Sequence, residues 1–168
     1  GVANFPADTW RLIFGRARQY WGTLQNRDGS FPYDSNGPGR GRMTCAGIAS
    51  LVIVGDQLDG LEPTAQDAIQ CCGGGFSEQD RIAAGLKWLG DNFSVTSNPG
   101  YQLQHLYYIY ALERVGRLTG RRFIGDTDWY RQGSLQLLNL QDNVTGRIVG
   151  KSNAYHGNEF TETAFALL

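Results

Sequence analysis

Six side chains that are capable of chemistry lie at or near the starts of predicted helices. They are a guanidinium, a thiol, an imidazole, two phenols and a carboxylate: Arg42, Cys45, His105, Tyr107, Tyr108 and Glu162. If these helix ends meet around one cavity, such a set can bind a ligand or exchange protons with it. Each type also has a structural use, since a histidine among tyrosines is typical of a hydrogen-bonded core and a carboxylate in a first helical turn stabilises the helix dipole. The sequence therefore predicts candidate cavity residues and leaves the catalytic role of each one unknown.

Metal binding is a second kind of chemistry that the residue types allow. Cysteine and histidine are zinc ligands, and the chain offers Cys45, Cys71, Cys72 and His105. Adjacent cysteines rarely bind one tetrahedral ion together, and no Cys-x-x-Cys spacing occurs, so free thiols are the better interpretation. We therefore predict no metal and no cofactor. Three cysteines cannot all pair within one chain, which favours a reducing compartment such as the cytoplasm.

The composition limits the class of protein. The 168 residues are 41% hydrophobic and 18% charged, with a formal net charge of -1. These values are typical of one globular domain with a sizeable core. A near-neutral chain without a basic stripe argues against a nucleic acid as the partner. No apolar run approaches the roughly 20 residues that a helix needs to cross a bilayer, so no membrane span is predicted.

Hydrophobic periodicity predicts helices along the whole chain. The clearest pattern is 102–120, where apolar residues recur at three- and four-residue steps before a glycine. The other predicted helices cover 9–25, 43–58, 64–72, 78–93, 126–140 and 160–168. Asp8, Asp126 and the pair formed by Ser77 and Asp80 are expected to cap three of them. The predicted fold class is therefore all-α.

The chain also contains an internal repeat. The end of the first helix and its loop, 24–31, return at 140–148 with one inserted residue, and a degenerate copy occurs at 89–93. The second helices match one another in the segments 45–51, 106–112 and 162–168. Their last leucines are about 55 to 60 positions apart, a spacing that suits one helical hairpin with a long loop. This repeat predicts tandem αα hairpins.

These motifs resemble those of the terpenoid cyclase and protein prenyltransferase superfamily. A helix ending in Leu-Gln before a glycine and an apolar residue, and a second helix of the type found at 162–168, are similar to bacterial proteins with prenyltransferase and squalene oxidase repeats. The resemblance implies an α/α toroid, with first helices outside and second helices around a central cavity. It covers the chain from Trp10 onwards and makes 1–168 one domain of about three hairpins. A full ring has about twice as many, so a second copy of the chain or the remainder of the same polypeptide is expected to complete it.

The two catalytic sets of this superfamily are incomplete in the sequence. Its cyclases use an Asp-x-Asp-Asp acid motif, whereas the run from Asp126 to Asp128 lacks the final aspartate and is expected to cap a helix. Its prenyltransferases bind zinc through an aspartate, a cysteine and a histidine. Cys45 matches the cysteine, while Met43 stands at the aspartate position and Glu162 at the histidine position.

The preferred functional interpretation is a non-catalytic binding or structural module. Its concave aromatic face would take an apolar or peptide ligand. The alternative is an enzyme that acts on an isoprenoid or a polysaccharide in the toroid cavity, because α/α toroids also host such activities. Both interpretations place the ligand against the inner helices.

Overall fold

The computed structural model describes residues 6–59, 77–150 and 159–168. The helices in these residues are α1 (Ala7–Leu24), α2 (Gly41–Asp59), α3 (Glu78–Asp91), α4 (His105–Leu118), α5 (Trp129–Leu140) and α6 (Glu159–Leu167). Two short strands, β1 (Phe123–Ile124) and β2 (Thr127–Asp128), form an antiparallel hairpin before α5. The prediction of an all-α fold is confirmed. The short helix predicted at 64–72 lies outside the described residues.

The cap predicted for α3 is present. The Oγ atom of Ser77 accepts a hydrogen bond from the Asp80 N–H at 3.1 Å. In return, the Asp80 carboxylate accepts one from the Ser77 N–H at 3.0 Å. This reciprocal capping box satisfies donors that the first helical turn leaves without partners.

The caps predicted for α1 and α5 are wrong by two residues each. Pro6 precedes α1, and Asp8 lies inside the first turn, where it pairs with Arg11 at 3.2 Å. The N-cap of α5 is Asp128, whose carboxylate accepts from the Arg131 N–H at 3.1 Å. Asp126 instead belongs to the turn between β1 and β2, and this hairpin delays the start of the helix.

The core lies mainly around α2 and α4, which pack against each other. Helix α2 also contacts α1 and α3, while α4 also contacts α5 and α6. Small residues make the close packing possible: a Cβ atom on Gly47 would lie 2.6 Å from the ring of Phe31. Phe31 itself is completely buried. A larger residue at Gly47 therefore cannot fit without moving the Phe31 ring.

The loops that follow α1 and α5 have the same hydrogen-bonding pattern. The side-chain amide of Gln25 donates to the carbonyl of Gly29 at 2.9 Å, and that of Gln141 donates to Gly146 at 3.2 Å. Both glycines have positive φ angles, 90° and 72°, a region that glycine adopts without strain. The repeat found in the sequence is therefore a structural repeat in these two loops.

A threonine links each of these loops to the helix that follows. The Oγ1 atom of Thr44 accepts from the Phe31 N–H at 3.0 Å, and that of Thr163 accepts from the Ile148 N–H at 3.2 Å. Alignment of the helix segments 45–51 and 162–168 pairs Thr44 with residue 161. The hydrogen bonds pair Thr44 with Thr163 instead, so the alignment of the last repeat shifts by two positions. In this register Glu162 corresponds to Met43, and Cys45 corresponds to Ala164.

None of the helices in the described part of the chain is long and apolar enough to cross a membrane.

Candidate functional site

Cys45 and Tyr108, two of the predicted cavity residues, lie in the core. Neither side chain is exposed to solvent. Burial raises the pKa of the Cys45 thiol, so the thiolate is not accessible at neutral pH. Burial, and secondly the neighbouring Cys45, raise the pKa of Tyr108. A backbone hydrogen bond from Ser94 acts on this pKa in the opposite direction.

His105 links the start of α4 to the segment that precedes it. Its Nε2 atom lies 2.7 Å from the carbonyl oxygen of Val95, so Nε2 carries the proton in this bond. The side chain is 2% exposed. In the sequence alignment His105 stands opposite Thr44, which makes the corresponding link in the first copy of the repeat. The imidazole therefore has a structural role that the threonines perform in the other two copies.

Tyr107 and Glu162 lie where α4, α6 and the segment before α6 meet. The ring of Tyr107 is 5.1 Å from that of Phe165 and 6.4 Å from that of Tyr110, measured between centroids. The Glu162 carboxylate accepts a hydrogen bond from the Gly150 N–H at 2.8 Å. The structure thus brings Cys45 and Tyr108 together, while the contacts of Tyr107 and Glu162 are with other residues.

Arg42 is half-buried, and its guanidinium group lies beside two tyrosine rings. Its guanidinium carbon lies 5.2 Å from the ring centroid of Tyr33 and 5.4 Å from that of Tyr101. The guanidinium carbon of Arg40 lies 4.3 Å from the Tyr101 centroid and 5.5 Å from that of Tyr33. We call Tyr33, Arg40, Arg42 and Tyr101 the arginine–tyrosine cluster. Each cation contacts both aromatic rings at distances that favour cation–π attraction.

Backbone hydrogen bonds hold both arginines of the cluster in place. The Arg40 N–H donates to the carbonyl of Phe31 at 3.1 Å, within the loop that precedes α2. The Gly41 N–H donates to the carbonyl of Pro99 at 2.7 Å, which joins this loop to the one before α4. The positions of the two arginines are thus set by contacts between loops that are distant in sequence.

Asn98 makes the second connection between the two loops. Its Oδ1 atom accepts from the Arg42 N–H at 3.0 Å, and its Nδ2 group donates to the carbonyl of Leu103 at 3.1 Å. The residue is 2% exposed, so these bonds are shielded from water. Asn98 therefore caps the start of α2 from outside the helix and fixes the backbone of Arg42.

The cluster carries the positive charges of two guanidinium groups. No ion pair between described residues includes Arg40 or Arg42. The Nε atom of Arg42 is buried and makes no hydrogen bond to the described part of the protein. Tyr33 is 56% exposed, so the outer side of the cluster is open to solvent.

Metal ligation was the other chemistry suggested by the residue types. Among the described residues, no group of three His, Cys, Asp or Glu side chains is arranged to hold a metal ion. Cys71 and Cys72 lie outside those residues. Cys45, the remaining thiol, is buried beside Tyr108.

Three members of the cluster, and Asn98, were not identified from the sequence. Tyr33 and Arg40 lie in a loop rich in glycine and proline, and Asn98 and Tyr101 lie in the loop between α3 and α4. The repeated Gly-Arg pair at 39–42 is the one local signal, because glycine suits positions where the backbone and a ligand approach closely. Nothing in the sequence connects the two loops.

Comparison with known proteins gives no match to a family model, to a curated protein or to a solved structure.

Proposed function

We propose that this chain is a helical-repeat module of the α/α-toroid type that binds a ligand or a protein partner and does not catalyse a reaction. The observation that carries the proposal is the repeated link between loop and helix. Thr44 and Thr163 bind the loops before their helices in the same way, through Phe31 and Ile148. Repeated local bonds of this kind are typical of folds built from stacked equivalent units.

The helix contacts support a toroid arrangement. The second helices of the proposed hairpins, α2, α4 and α6, contact one another in sequence order, α2 with α4 and α4 with α6. The first helices pack against them, α1 on α2 and α5 on α4, while α3 lies against α2. In a toroid, inner helices form such a row and outer helices cover it. The proposed architecture is part of a ring of the terpenoid cyclase and prenyltransferase type.

Two features support a role without catalysis. Of the zinc triad that the resemblance implies, the chain has Cys45 alone. This side chain is fully buried, and burial raises the pKa of its thiol. The aspartate run at 126–128 is used to form a hairpin turn and the N-cap of α5. Asp128 accepts from Arg131 and from Arg122, so its carboxylate is engaged in structural bonds. Hydrogen bonding, first from the Arg131 N–H, lowers the pKa of Asp128, so its carboxylate is ionised and holds no proton to donate at neutral pH.

The arginine–tyrosine cluster is the surface on which we place binding. Its four side chains lie in the loop before α2, at the start of α2 and in the loop before α4, where the inner helices of a toroid open towards a ligand. Exposed aromatic faces beside arginine are common at recognition surfaces, because they contact both apolar and peptide groups. An apolar or peptide ligand that lies across the two tyrosine rings is consistent with this surface.

Native mass spectrometry of the chain, before and after incubation with zinc, tests the proposal. We expect no stoichiometric zinc and no transfer of a prenyl group from a prenyl diphosphate to a thiol peptide added with magnesium. Stoichiometric zinc together with transfer that is lost in Cys45→Ala would overturn the non-catalytic proposal in favour of an enzyme acting on an isoprenoid. Hydrolysis of an added polysaccharide would favour the other enzymatic alternative.

We also propose that a second copy of the chain, or further residues of the same polypeptide, covers the exposed apolar side of α6. Apolar side chains of α6 and the residue after it are exposed: Phe160 by 69%, Leu167 by 77% and Leu168 by 71%. Exposed apolar surface of this kind is common at interfaces. The same native mass spectra report the oligomeric state, and a dimer that dissociates in Leu167→Glu is the expected result for a second copy. A monomer at all concentrations would leave the remainder of the polypeptide as the cover.

A further inference from the structure

The arginine–tyrosine cluster holds two permanent positive charges close to the same two rings. Arg40 and Arg42 each lie within 5.5 Å of both tyrosine centroids. Guanidinium groups remain charged at all physiological pH values. Two such charges repel each other. Among the described residues, no carboxylate forms an ion pair with either arginine. Asp34, which follows Tyr33 in the chain, is exposed, and it is not in any of the ion pairs found between described residues.

We propose that Arg40 and Arg42 together bind an oxyanion, a phosphate or a carboxylate, carried by a ligand whose apolar part lies against Tyr33 and Tyr101. The inference rests on the proposed function, because it names the ligand class of the same surface. Guanidinium groups bind both kinds of oxyanion through paired, charge-assisted hydrogen bonds. A single anion between the two arginines removes their repulsion and leaves the tyrosine rings available for the rest of the ligand.

The two arginines are prepared for binding by the backbone. Hydrogen bonds from their N–H groups fix the Cα positions of both residues, that of Arg40 just before α2 and that of Arg42 in its first turn. Stacking against Tyr101 and Tyr33 then restricts the long side chains. Side chains that are ordered before binding lose less conformational entropy when a ligand arrives.

The side chains, rather than the helix terminus, provide the recognition. The N–H groups of Gly41 and Arg42 at the start of α2 donate to Pro99 and Asn98. They are therefore unavailable to an anion, although the first turn of a helix often binds one. With these two N–H groups engaged, the guanidinium groups are the charged donors for an anion at this surface, so replacing either arginine is expected to weaken binding.

The test is a titration of the full chain, labelled with ¹⁵N, followed through the Nε–Hε signals of its arginines. The probes are phenyl phosphate, benzoate and benzyl alcohol, which share a ring and differ in the polar group. We expect saturable shifts of the Arg40 and Arg42 signals with at least one of the two anions and no saturable shift with benzyl alcohol. A preference of about tenfold for phenyl phosphate or for benzoate identifies the source of the oxyanion as a phosphate ester or a carboxylate ligand.

Arg42→Gln and Arg114→Gln form the matched pair of variants. Both remove one positive charge, but Arg114 is an exposed residue of α4 outside the cluster. We expect Arg42→Gln to weaken anion binding by about tenfold or more and Arg114→Gln to change it by less than about twofold. Arg42→Lys, which retains the charge without the paired donors, replaces Arg42→Gln if the latter unfolds. Its expected affinity is also several times lower than that of the unchanged protein.

Three results would overturn the inference: no saturable shift at Arg40 and Arg42 with either anion, equal weakening by the two glutamine variants, or equal binding of benzyl alcohol. None of them bears on the zinc and transfer measurements, which test the non-catalytic role. If the anions fail to bind and those measurements are also negative, the module proposal stands with a different ligand class. If zinc-dependent transfer is found, the proposed function is wrong regardless of the titration.

Discussion

The side chain of Thr44 accepts a hydrogen bond from the backbone N–H of Phe31 at 3.0 Å, and neither residue is exposed to solvent. The same hydroxyl donates to the carbonyl of Arg40 at 3.0 Å. One buried side chain therefore joins the loop after α1 to the first turn of α2. The position of Arg40 in the arginine–tyrosine cluster depends on this connection.

Thr44→Val removes the hydroxyl while keeping the size and branching of the side chain. The Phe31 N–H then loses its partner inside the core, at a cost of about 1–3 kcal/mol in the free energy of unfolding. Thr44→Ser retains the hydroxyl and is the control. Chemical denaturation of the two variants and the unchanged protein gives the comparison. A valine variant as stable as the serine variant would show that the hydrogen bond contributes nothing.

Gly47→Ala tests the packing of α2 against the loop after α1. The added Cβ atom would lie 2.6 Å from the Phe31 ring, which is completely buried and cannot turn away. We expect a loss of about 1–3 kcal/mol in the free energy of unfolding.

The matched control is Gly133→Ala in α5, where a Cβ atom meets nothing within 4 Å. Alanine favours a helix over glycine by up to about 1 kcal/mol, so this variant is expected to be more stable than the unchanged protein. Urea denaturation measures both substitutions. Equal effects at the two glycines would contradict the packing argument.

Cys45 is expected to resist thiol reagents in the folded protein. Its side chain is 0% exposed, and burial raises its pKa, so little reactive thiolate is present. Iodoacetamide treatment followed by peptide mass mapping should label Cys45 in denaturant and leave it unmodified under native conditions. Labelling of Cys45 in the native protein faster than global unfolding would instead indicate an accessible thiol, as a zinc or catalytic role requires.

Asp142 is expected to contribute to the loss of stability in acid. Hydrogen bonds from the Thr145 N–H, the Thr145 hydroxyl and the Val144 N–H lower its pKa below the ordinary value of 3.8. The unfolded chain therefore binds its proton at a higher pH than the folded protein does. This stabilising contribution is complete above the unfolded pKa and is lost as the pH falls through the folded value.

Asp142→Asn removes that titration. We expect the midpoint of urea denaturation to fall less between about pH 5 and pH 3 in this variant than in the unchanged protein. Thr145→Val removes one of the donors and should give an intermediate slope. The remaining slope has other sources, because hydrogen bonds also lower the pKa values of Asp80 and Asp128. An unchanged pH dependence in Asp142→Asn would contradict the assignment.

The predicted site residues illustrate how far the sequence could go. The residue types were compatible with a ligand cavity and with a packed core. Hydrophobic periodicity could not distinguish the two, since the same face of a helix can line a cavity or pack in the core. The structure places Cys45, His105 and Tyr108 among buried residues, whereas Arg42 lies beside two tyrosines from different loops. Packing between the helices and loops decides which of these side chains become buried and which stay accessible to a ligand.

The sequence by itself determined the helices of the described residues, the capping box at Ser77 and the repeat of the loops at 24–31 and 140–148. These features depend on hydrophobic periodicity and on hydrogen bonds between residues a few positions apart. The short hairpin before α5 was missed, because a two-residue strand has almost no periodic signal.

Only the tertiary structure decided the register of the last repeat and the composition of the arginine–tyrosine cluster. Thr163 is matched to Thr44 by its bond to Ile148, which similarity of the helix sequences did not reveal. Arg42 meets Asn98 across 56 positions of the chain. Contacts of that range arise from the packing of α2 against α4, and local sequence patterns carry no information about them.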